Sequence, residues 1–186
     1  MLNRYSLSFR SPRHIHCSLA ALIALGLAAL SGCGDAASDA PFDTVFNPCE
    51  PLAIVAQAGT RPEQLESLDA AIAMWNQAAG LKLVRDGADI EAQIPVYFED
   101  GAPFMHGFYS QDLGTVTVNQ KLNARERTIT AAHELGHAFG LHHIDAAARP
   151  SIMNHGNLSR EISAEDVEML HSLWPQCQPS EDTPNA

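Results

Sequence analysis

Four histidines and one glutamate stand close together at residues 133–143, which read HELGHAFGLHH. If this stretch is helical, His133 and His137 are four residues apart, so their imidazoles leave the same face one turn apart. A single metal ion can accept both rings at about 2.0–2.1 Å. The spacing therefore predicts two nitrogen ligands of one metal ion, for which zinc is the best match.

A third ligand requires the helix to end soon after His137, because a continued helix would carry His143 away from the ion. Gly140 meets that need, since glycine accepts the left-handed conformation that ends a helix and turns the chain back. His143 can then fill a third corner of a tetrahedron, while His142 is out of register with Gly140 and is interpreted as a surface residue or as one that contacts a ligand without binding the metal. The fourth corner stays open for water, which is typical of catalytic zinc sites.

Glu134 directly follows the first predicted ligand and points to the open side. A carboxylate there can accept a proton from an attacking water and later deliver it to a leaving amine. The alternative is a helix that merely carries core or surface histidines. Gly140 and His143 in register make such a chance match rare, below about one in 10⁴ for a chain of this length. The pattern thus predicts one catalytic Zn²⁺ with Glu134 as the general base.

These residues resemble the HExxHxxGxxH motif of the metzincin zinc metalloproteases. Residues 151–154, Ser-Ile-Met-Asn, are similar to the methionine turn of that family, with Met153 as its methionine. Residues 162–174 look like its closing helix and residues 70–79 like its first helix, so the resemblance covers about residues 60–175. It is greatest for the matrixin-like branch, although Ile144 stands where matrixins usually have serine and no tyrosine follows Met153.

The resemblance implies a zinc endopeptidase with a flattened catalytic domain, built on a twisted mixed sheet with three helices. A peptide or protein substrate would lie extended along an edge strand near residues 107–114 and pair with it through main-chain hydrogen bonds. A non-catalytic lipoprotein that binds zinc or peptide on the same fold is the alternative function. Glu134 counts against it, because binding alone needs no base at that position.

The remaining sequence predicts an α+β domain. Three helices are expected where a capping residue is followed three positions later by an acidic one: Thr60 and Glu63, Asn123 and Glu126, Ser163 and Asp166. Short apolar segments at residues 81–84, 94–98 and 116–118 predict strands between the first two helices. The expected order is helix, several strands, helix, irregular loop, helix, with all strands in one sheet before the second helix.

The first 32 residues have the pattern of a lipoprotein signal peptide. Three arginines and no acidic residue precede a 12-residue apolar run at residues 19–30, which is too short to span a bilayer but fits a signal peptide. Leu30-Ser31-Gly32-Cys33 resembles the bacterial lipobox, in which cleavage precedes a lipid-modified cysteine. The alternative is an ordinary signal peptide with a cysteine near its cleavage site. We expect export and a membrane anchor at Cys33, on the periplasmic or surface face of the bacterial envelope.

The predicted domain organisation is a signal peptide (1–32), a flexible tether (33–48), one catalytic domain (49–177) and a polar tail (178–186). Removing residues 1–32 takes away three of the 11 Lys+Arg and none of the 22 Asp+Glu, which leaves 8 − 22 = −14. Such an acidic chain is poorly suited to nucleic acid and to adhesion on anionic lipid. We expect a monomer whose membrane contact is the lipid.

Cys49 and Cys177 remain in a compartment that permits disulfides. Cys49 precedes the first predicted helix and Cys177 follows the last, and the two ends of a domain often lie close together. The sequence therefore predicts a disulfide between them. The alternative is that Cys49 is a thiolate latch on the metal, although Asn47-Pro48-Cys49-Glu50-Pro51 does not match the known cysteine-switch motif.

Overall fold

Five short strands form one mixed sheet in the computed structural model, which describes residues 44–178. They are β1 (Leu52–Ala56), β2 (Leu83–Arg85), β3 (Gln93–Glu99), β4 (Gly107–Ser110) and β5 (Thr115–Asn119). Their order in the sheet is β2-β1-β3-β5-β4. Every neighbouring pair is parallel except β4 and β5, which are antiparallel. β4 is therefore an edge strand that runs against the direction of the others.

Three helices accompany the sheet: α1 (Pro62–Ala79), α2 (Ala124–Ala138) and α3 (Ala164–Leu173). The capping boxes predicted for α2 and α3 are confirmed, because Asn123 Oδ1 accepts from the Glu126 N–H at 3.0 Å and Ser163 Oγ from the Asp166 N–H at 3.2 Å. In both helices the acidic side chain also accepts from the backbone of the capping residue. All strands precede α2 and share one sheet, so the predicted α+β class is confirmed.

Two details of the prediction were wrong. A strand, β1, precedes α1, whereas the predicted order began with a helix. Thr60 does not cap α1, because its hydroxyl donates to the Gln57 carbonyl at 2.6 Å. Arg61 is the N-cap, and its N–H donates to Gln64 Oε1 at 2.9 Å. Pro62 shifts the start by one residue, since proline suits the first helical turn, where no N–H partner is available.

The core lies where α1 and α2 cross the sheet. Val96 and Phe98 of β3 and Val116 and Val118 of β5 are buried, as their alternation predicted. Trp75 of α1 is fully buried, and its indole N–H donates to the Ala132 carbonyl of α2 at 2.8 Å. This contact fixes the position of α2, which carries most of the histidine motif, relative to α1.

Residues near both ends of the described region are held against the domain. Cys49 and Cys177 form a disulfide across a sequence separation of 128 residues, which confirms the predicted pairing and excludes a free thiolate latch at Cys49. The predicted tether, however, extends too far along the chain. Phe46 donates its N–H to the Ala138 carbonyl at 2.8 Å and Pro48 is buried, so residues 44–48 belong to the folded domain.

Several predictions concern parts of the chain outside the described residues: the signal peptide at 1–32, the lipid site at Cys33, the first part of the tether at 34–43 and the tail at 179–186. Within residues 44–178, no helix is long and apolar enough to cross a membrane.

Candidate metal centre

The first two candidate ligands lie one turn apart on α2, as the spacing predicted. His133 and His137 are buried, whereas His143, on the loop that follows, is exposed. The three Nε2 atoms form a nearly equilateral triangle, with 3.1 Å between His133 and His137, 3.1 Å between His137 and His143, and 3.2 Å between His133 and His143. Nitrogens bound tetrahedrally at 2.0–2.1 Å lie about 3.3 Å apart, so the triangle has the size of a zinc site.

Backbone carbonyls determine the orientation of both buried rings. His133 Nδ1 lies 2.6 Å from the Ile152 carbonyl oxygen, and His137 Nδ1 lies 2.7 Å from that of Leu141. A carbonyl only accepts, so each Nδ1 carries the proton and each Nε2 of a neutral ring presents its lone pair to the triangle. Lone pairs that face one another at 3.1 Å repel unless a cation lies between them. This donor set fits a zinc ion.

The pKa values agree with neutral rings. Burial lowers the pKa of His133 to about 4, and burial together with the neighbouring His133 and His143 lowers the pKa of His137 to about 3. Both imidazoles are therefore neutral at pH 7, which is the form that binds metal.

Gly140 ends α2 and also helps to orient His137. Its φ of +92° is left-handed. The Gly140 N–H donates to the His137 carbonyl and the Leu141 N–H to the Gly136 carbonyl, both at 2.9 Å, which is a Schellman motif. The turn places the Leu141 carbonyl against His137 Nδ1 and directs the chain toward His143. Gly140 thus both ends α2 and turns the chain so that His143 can approach the other two histidines.

Met153 is fully buried beneath α2. A Cβ added to Gly136 would lie 2.5 Å from the Met153 sulfur and 3.3 Å from Trp75, so only glycine allows this contact. The loop of Met153 is joined to the third ligand's loop, because the Ile144 N–H donates to the Met153 carbonyl at 2.9 Å. Ile144, which departs from the matrixin pattern, is half-buried at this junction.

A buried carboxylate that sequence reasoning did not identify as part of the site supports the methionine loop. Asp166 is fully buried and accepts from the Ile152 N–H at 3.0 Å, the Ser163 N–H at 2.8 Å and the Ser151 hydroxyl. The Ile152 carbonyl in turn accepts a hydrogen bond from His133 Nδ1. The sequence signal for Asp166 was only its place in the capping box of α3. Its second set of partners comes from a loop 14 residues earlier, which no local pattern reveals.

Glu134 lies between α2 and the edge strand β4. It is buried, and a Cβ added to Gly107 of β4 would come within 3.3 Å of its Cγ. Burial raises the pKa of Glu134 to about 8, while a hydrogen bond from the Tyr109 backbone N–H acts in the opposite direction. A dication on the adjacent histidines would also lower this pKa, because an opposite charge favours the carboxylate.

His155, which follows the methionine loop, is exposed beside the third histidine. Its ring centroid lies 5.0 Å from that of His143, in an edge-to-face arrangement. His155 is not one of the three residues whose donor atoms converge.

No known protein family and no curated protein matches the sequence of this chain. Among solved structures, myroilysin is similar over 71% of this chain and 86% of that one, with 13% identity and a TM-score of 0.48. Archaemetzincin from Methanopyrus kandleri shares 16% identity over 72% of this chain and 97% of its own, with a TM-score of 0.49. High choriolytic enzyme 1, a hatching enzyme zinc-protease from Oryzias latipes, shares 16% identity over 71% of this chain and 92% of its own, with a TM-score of 0.48.

Proposed function

We propose that this chain is a zinc-dependent endopeptidase of the metzincin type, in its matrixin-like branch. The observation that carries the proposal is the convergence of three histidine Nε2 atoms within 3.1–3.2 Å, next to a buried glutamate and the edge strand β4. His133, His137 and His143 would hold one catalytic Zn²⁺, which leaves a fourth position for water or a substrate carbonyl. When bound there, zinc would supply acidification of the attacking water and polarisation of the scissile carbonyl.

The edge strand β4 supplies the substrate site in this proposal. Within residues 44–178, only β5 pairs with it. Asn119 donates its N–H to the His106 carbonyl at 2.7 Å, and backbone groups alternate in direction along an antiparallel strand. Gly107 therefore turns its backbone groups away from β5, as does Tyr109, whose N–H donates to the Glu134 carboxylate. An extended peptide would pair along this edge, which brings its scissile bond next to Glu134.

Glu134 is the proton carrier of the proposed reaction. Its carboxylate accepts a proton from the water as the water oxygen attacks the scissile carbonyl carbon. The same proton then passes to the amide nitrogen as the carbon–nitrogen bond breaks. The second proton of the water passes from the new carboxylic acid to the amine, so the products are a carboxylate and an ammonium ion, and Glu134 returns to its ionised form. Burial raises the pKa of Glu134, and a dication on the adjacent histidines would lower it again, which would keep the carboxylate ionised and able to accept the proton.

The location belongs to the proposal as well. The basic start, the apolar run and the lipobox-like Leu30–Cys33 tetrad support an exported lipoprotein anchored in the bacterial envelope through Cys33. We expect a monomer that acts on peptide or protein and not on nucleic acid, since the mature chain would carry a charge of 8 − 22 = −14.

Cleavage of a generic unfolded protein tests the proposal. The purified chain should hydrolyse the substrate, lose that activity on treatment with a chelator and regain it when zinc is restored. X-ray absorption on the same sample should show one zinc with nitrogen and oxygen neighbours only. A chain that binds zinc but cleaves nothing would favour the alternative, a zinc- or peptide-binding lipoprotein. A sulfur ligand would contradict the assigned site.

A further inference from the structure

Residues 44–46, which we term the N-terminal strap, lie against two parts of the candidate site. At the end of α2, Phe46 donates its N–H to the Ala138 carbonyl at 2.8 Å. At the turn between β4 and β5, a Cβ added to Gly114 would lie 3.0 Å from the Phe46 ring and 3.3 Å from the Thr44 methyl group. The strap therefore bridges the helix that carries the histidines and the hairpin that contains the edge strand.

Tyr109 connects the strap to the proposed base. Its hydroxyl donates to the Thr44 carbonyl at 2.7 Å, and its backbone N–H donates to the Glu134 carboxylate. Burial raises the pKa of Tyr109 to about 12, so the hydroxyl remains a donor at neutral pH. One residue of β4 thus holds the strap with its side chain and Glu134 with its backbone.

We propose that the N-terminal strap and Tyr109 position Glu134 for catalysis, with Tyr109 as a positioning residue and not a catalytic one. The inference rests on the proposed function. It identifies a residue that no feature of the histidine motif predicts, and it gives residues 44–46 a role beyond joining the domain to whatever precedes it.

The shortness of β4 explains why the strand needs the additional contact with the N-terminal strap. β4 has only four residues and, in the part of the chain that the structure describes, pairs with β5 alone, so few hydrogen bonds hold it at a fixed distance from α2. Gly107 allows close approach, since a Cβ there would lie 2.6 Å from the Thr130 methyl group. Close approach alone does not fix the direction of the Tyr109 N–H. The strap holds the far end of the Tyr109 side chain and thereby limits movement of the strand away from the base.

Tyr109→Phe tests the proposal, because it removes the hydroxyl donor and keeps the ring. Tyr97→Phe is the matched control: it makes the same chemical change on β3, on the face opposite the buried Val96 and Phe98. Loss of one hydrogen bond predicts that kcat of zinc-loaded Tyr109→Phe falls about fivefold. KM and zinc content should stay within about twofold of wild type, because the substitution changes neither the histidines nor the backbone groups of β4. Tyr97→Phe should match wild type throughout.

Amide hydrogen exchange gives a second readout that does not depend on activity. The Tyr109 N–H should exchange about fivefold faster in Tyr109→Phe, and also in Phe46→Ala, which weakens the strap and leaves Tyr109 intact. Phe46→Ala keeps the test decisive if Tyr109→Phe does not fold. Unchanged kcat and unchanged Tyr109 exchange in the variants would overturn the inference, as would a change in KM alone.

Failure of this inference differs from failure of the proposed function. If Glu134→Gln abolishes hydrolysis while Tyr109→Phe behaves like Tyr97→Phe, only the positioning role is lost. If the wild-type protein hydrolyses nothing, the proposed function is wrong, and the exchange experiment still decides whether the strap holds the Tyr109 N–H.

Discussion

At the scale of residues, the candidate site depends on backbone carbonyls as much as on histidines. The carbonyls of Ile152 and Leu141 fix the proton on the Nδ1 atoms of His133 and His137, so that both Nε2 lone pairs face the same point. Burial keeps both rings neutral. His143 is exposed, and its position depends on the turn at Gly140 and on the pairing of Ile144 with the methionine loop. It is therefore the candidate ligand for which a direct test is most informative.

Adjacent histidines provide that test. His143→Ala should lower zinc affinity by at least about a hundredfold, because it removes one of three nitrogen ligands. His142→Ala is the matched control and should bind zinc within about threefold of wild type, since its ring lies outside the converging group. Competition with a chromophoric chelator measures both affinities. If His142→Ala loses zinc and His143→Ala keeps it, the third ligand has been assigned to the wrong residue.

At the scale of elements, α3 acts on the candidate site without touching the histidine triangle. Asp166 accepts from the first turn of its own helix and from the N–H of Ile152, whose carbonyl orients His133. The buried carboxylate therefore fixes the loop from which the orientation of His133 derives. Such support typically changes metal affinity by about 10–100-fold when it is removed.

Asp166→Asn should therefore weaken zinc binding about tenfold and lower the free energy of unfolding by about 1–3 kcal/mol, because an amide cannot accept all the bonds that the carboxylate accepts. Glu165→Gln, one residue earlier and exposed, is the control. Zinc titration and urea denaturation measure the two effects. If a folded Asp166→Asn protein bound zinc with wild-type affinity, α3 would not contribute to the candidate metal site.

The elements also indicate which features a sequence can predict. Local chemistry was sufficient for α2 and α3, whose caps lie within four residues, and for β3 and β5, whose buried residues alternate. β1 was missed because Leu52, Ala53 and Ile54 are all buried and show no alternation. The start of α1 was misplaced by one residue, because the predicted pair of Thr60 and Glu63 lies one position before the pair that caps the helix, Arg61 and Gln64.

The site shows the same division between local and distant contacts. The spacing of His133, His137, Gly140 and His143 is local, and the structure brings these residues together as the pattern predicted. The contact of Asp166 with Ile152 spans 14 residues and that of Tyr109 with Thr44 spans 65. Contacts of this length arise from tertiary packing, so a single sequence contains no local signal for them.

At the scale of the whole molecule, the disulfide joins the segment that contains the N-terminal strap to the residues after α3. The enclosed loop of 128 residues predicts an entropic stabilisation of at most about 4–5 kcal/mol. Cys49→Ser with Cys177→Ser should therefore lower the melting temperature measured by calorimetry. The metal content should not change, because neither sulfur lies in the histidine triangle. An unchanged melting temperature would show that the disulfide does not stabilise the folded domain in this way.

Anchoring is the second prediction for the whole molecule. Cys33→Ser should leave the chain unprocessed or release it from the membrane fraction, because neither acylation nor lipoprotein cleavage could then occur. Cys17→Ser, within the predicted signal peptide, is the matched control and should behave like wild type. Fractionation followed by mass spectrometry of the mature N-terminus provides the measurement. Normal processing and membrane retention of Cys33→Ser would refute the lipid anchor.

The central claim is that Glu134 moves the proton in peptide-bond hydrolysis at a zinc ion held by three histidines. The most direct measurement compares zinc-loaded wild type and Glu134→Gln for peptide hydrolysis and zinc content in the same preparations. Glutamine keeps the shape and removes the base, so we predict full zinc occupancy with kcat reduced by about 10³-fold or more. Equal kcat in the two proteins, with zinc bound in both, would contradict the account.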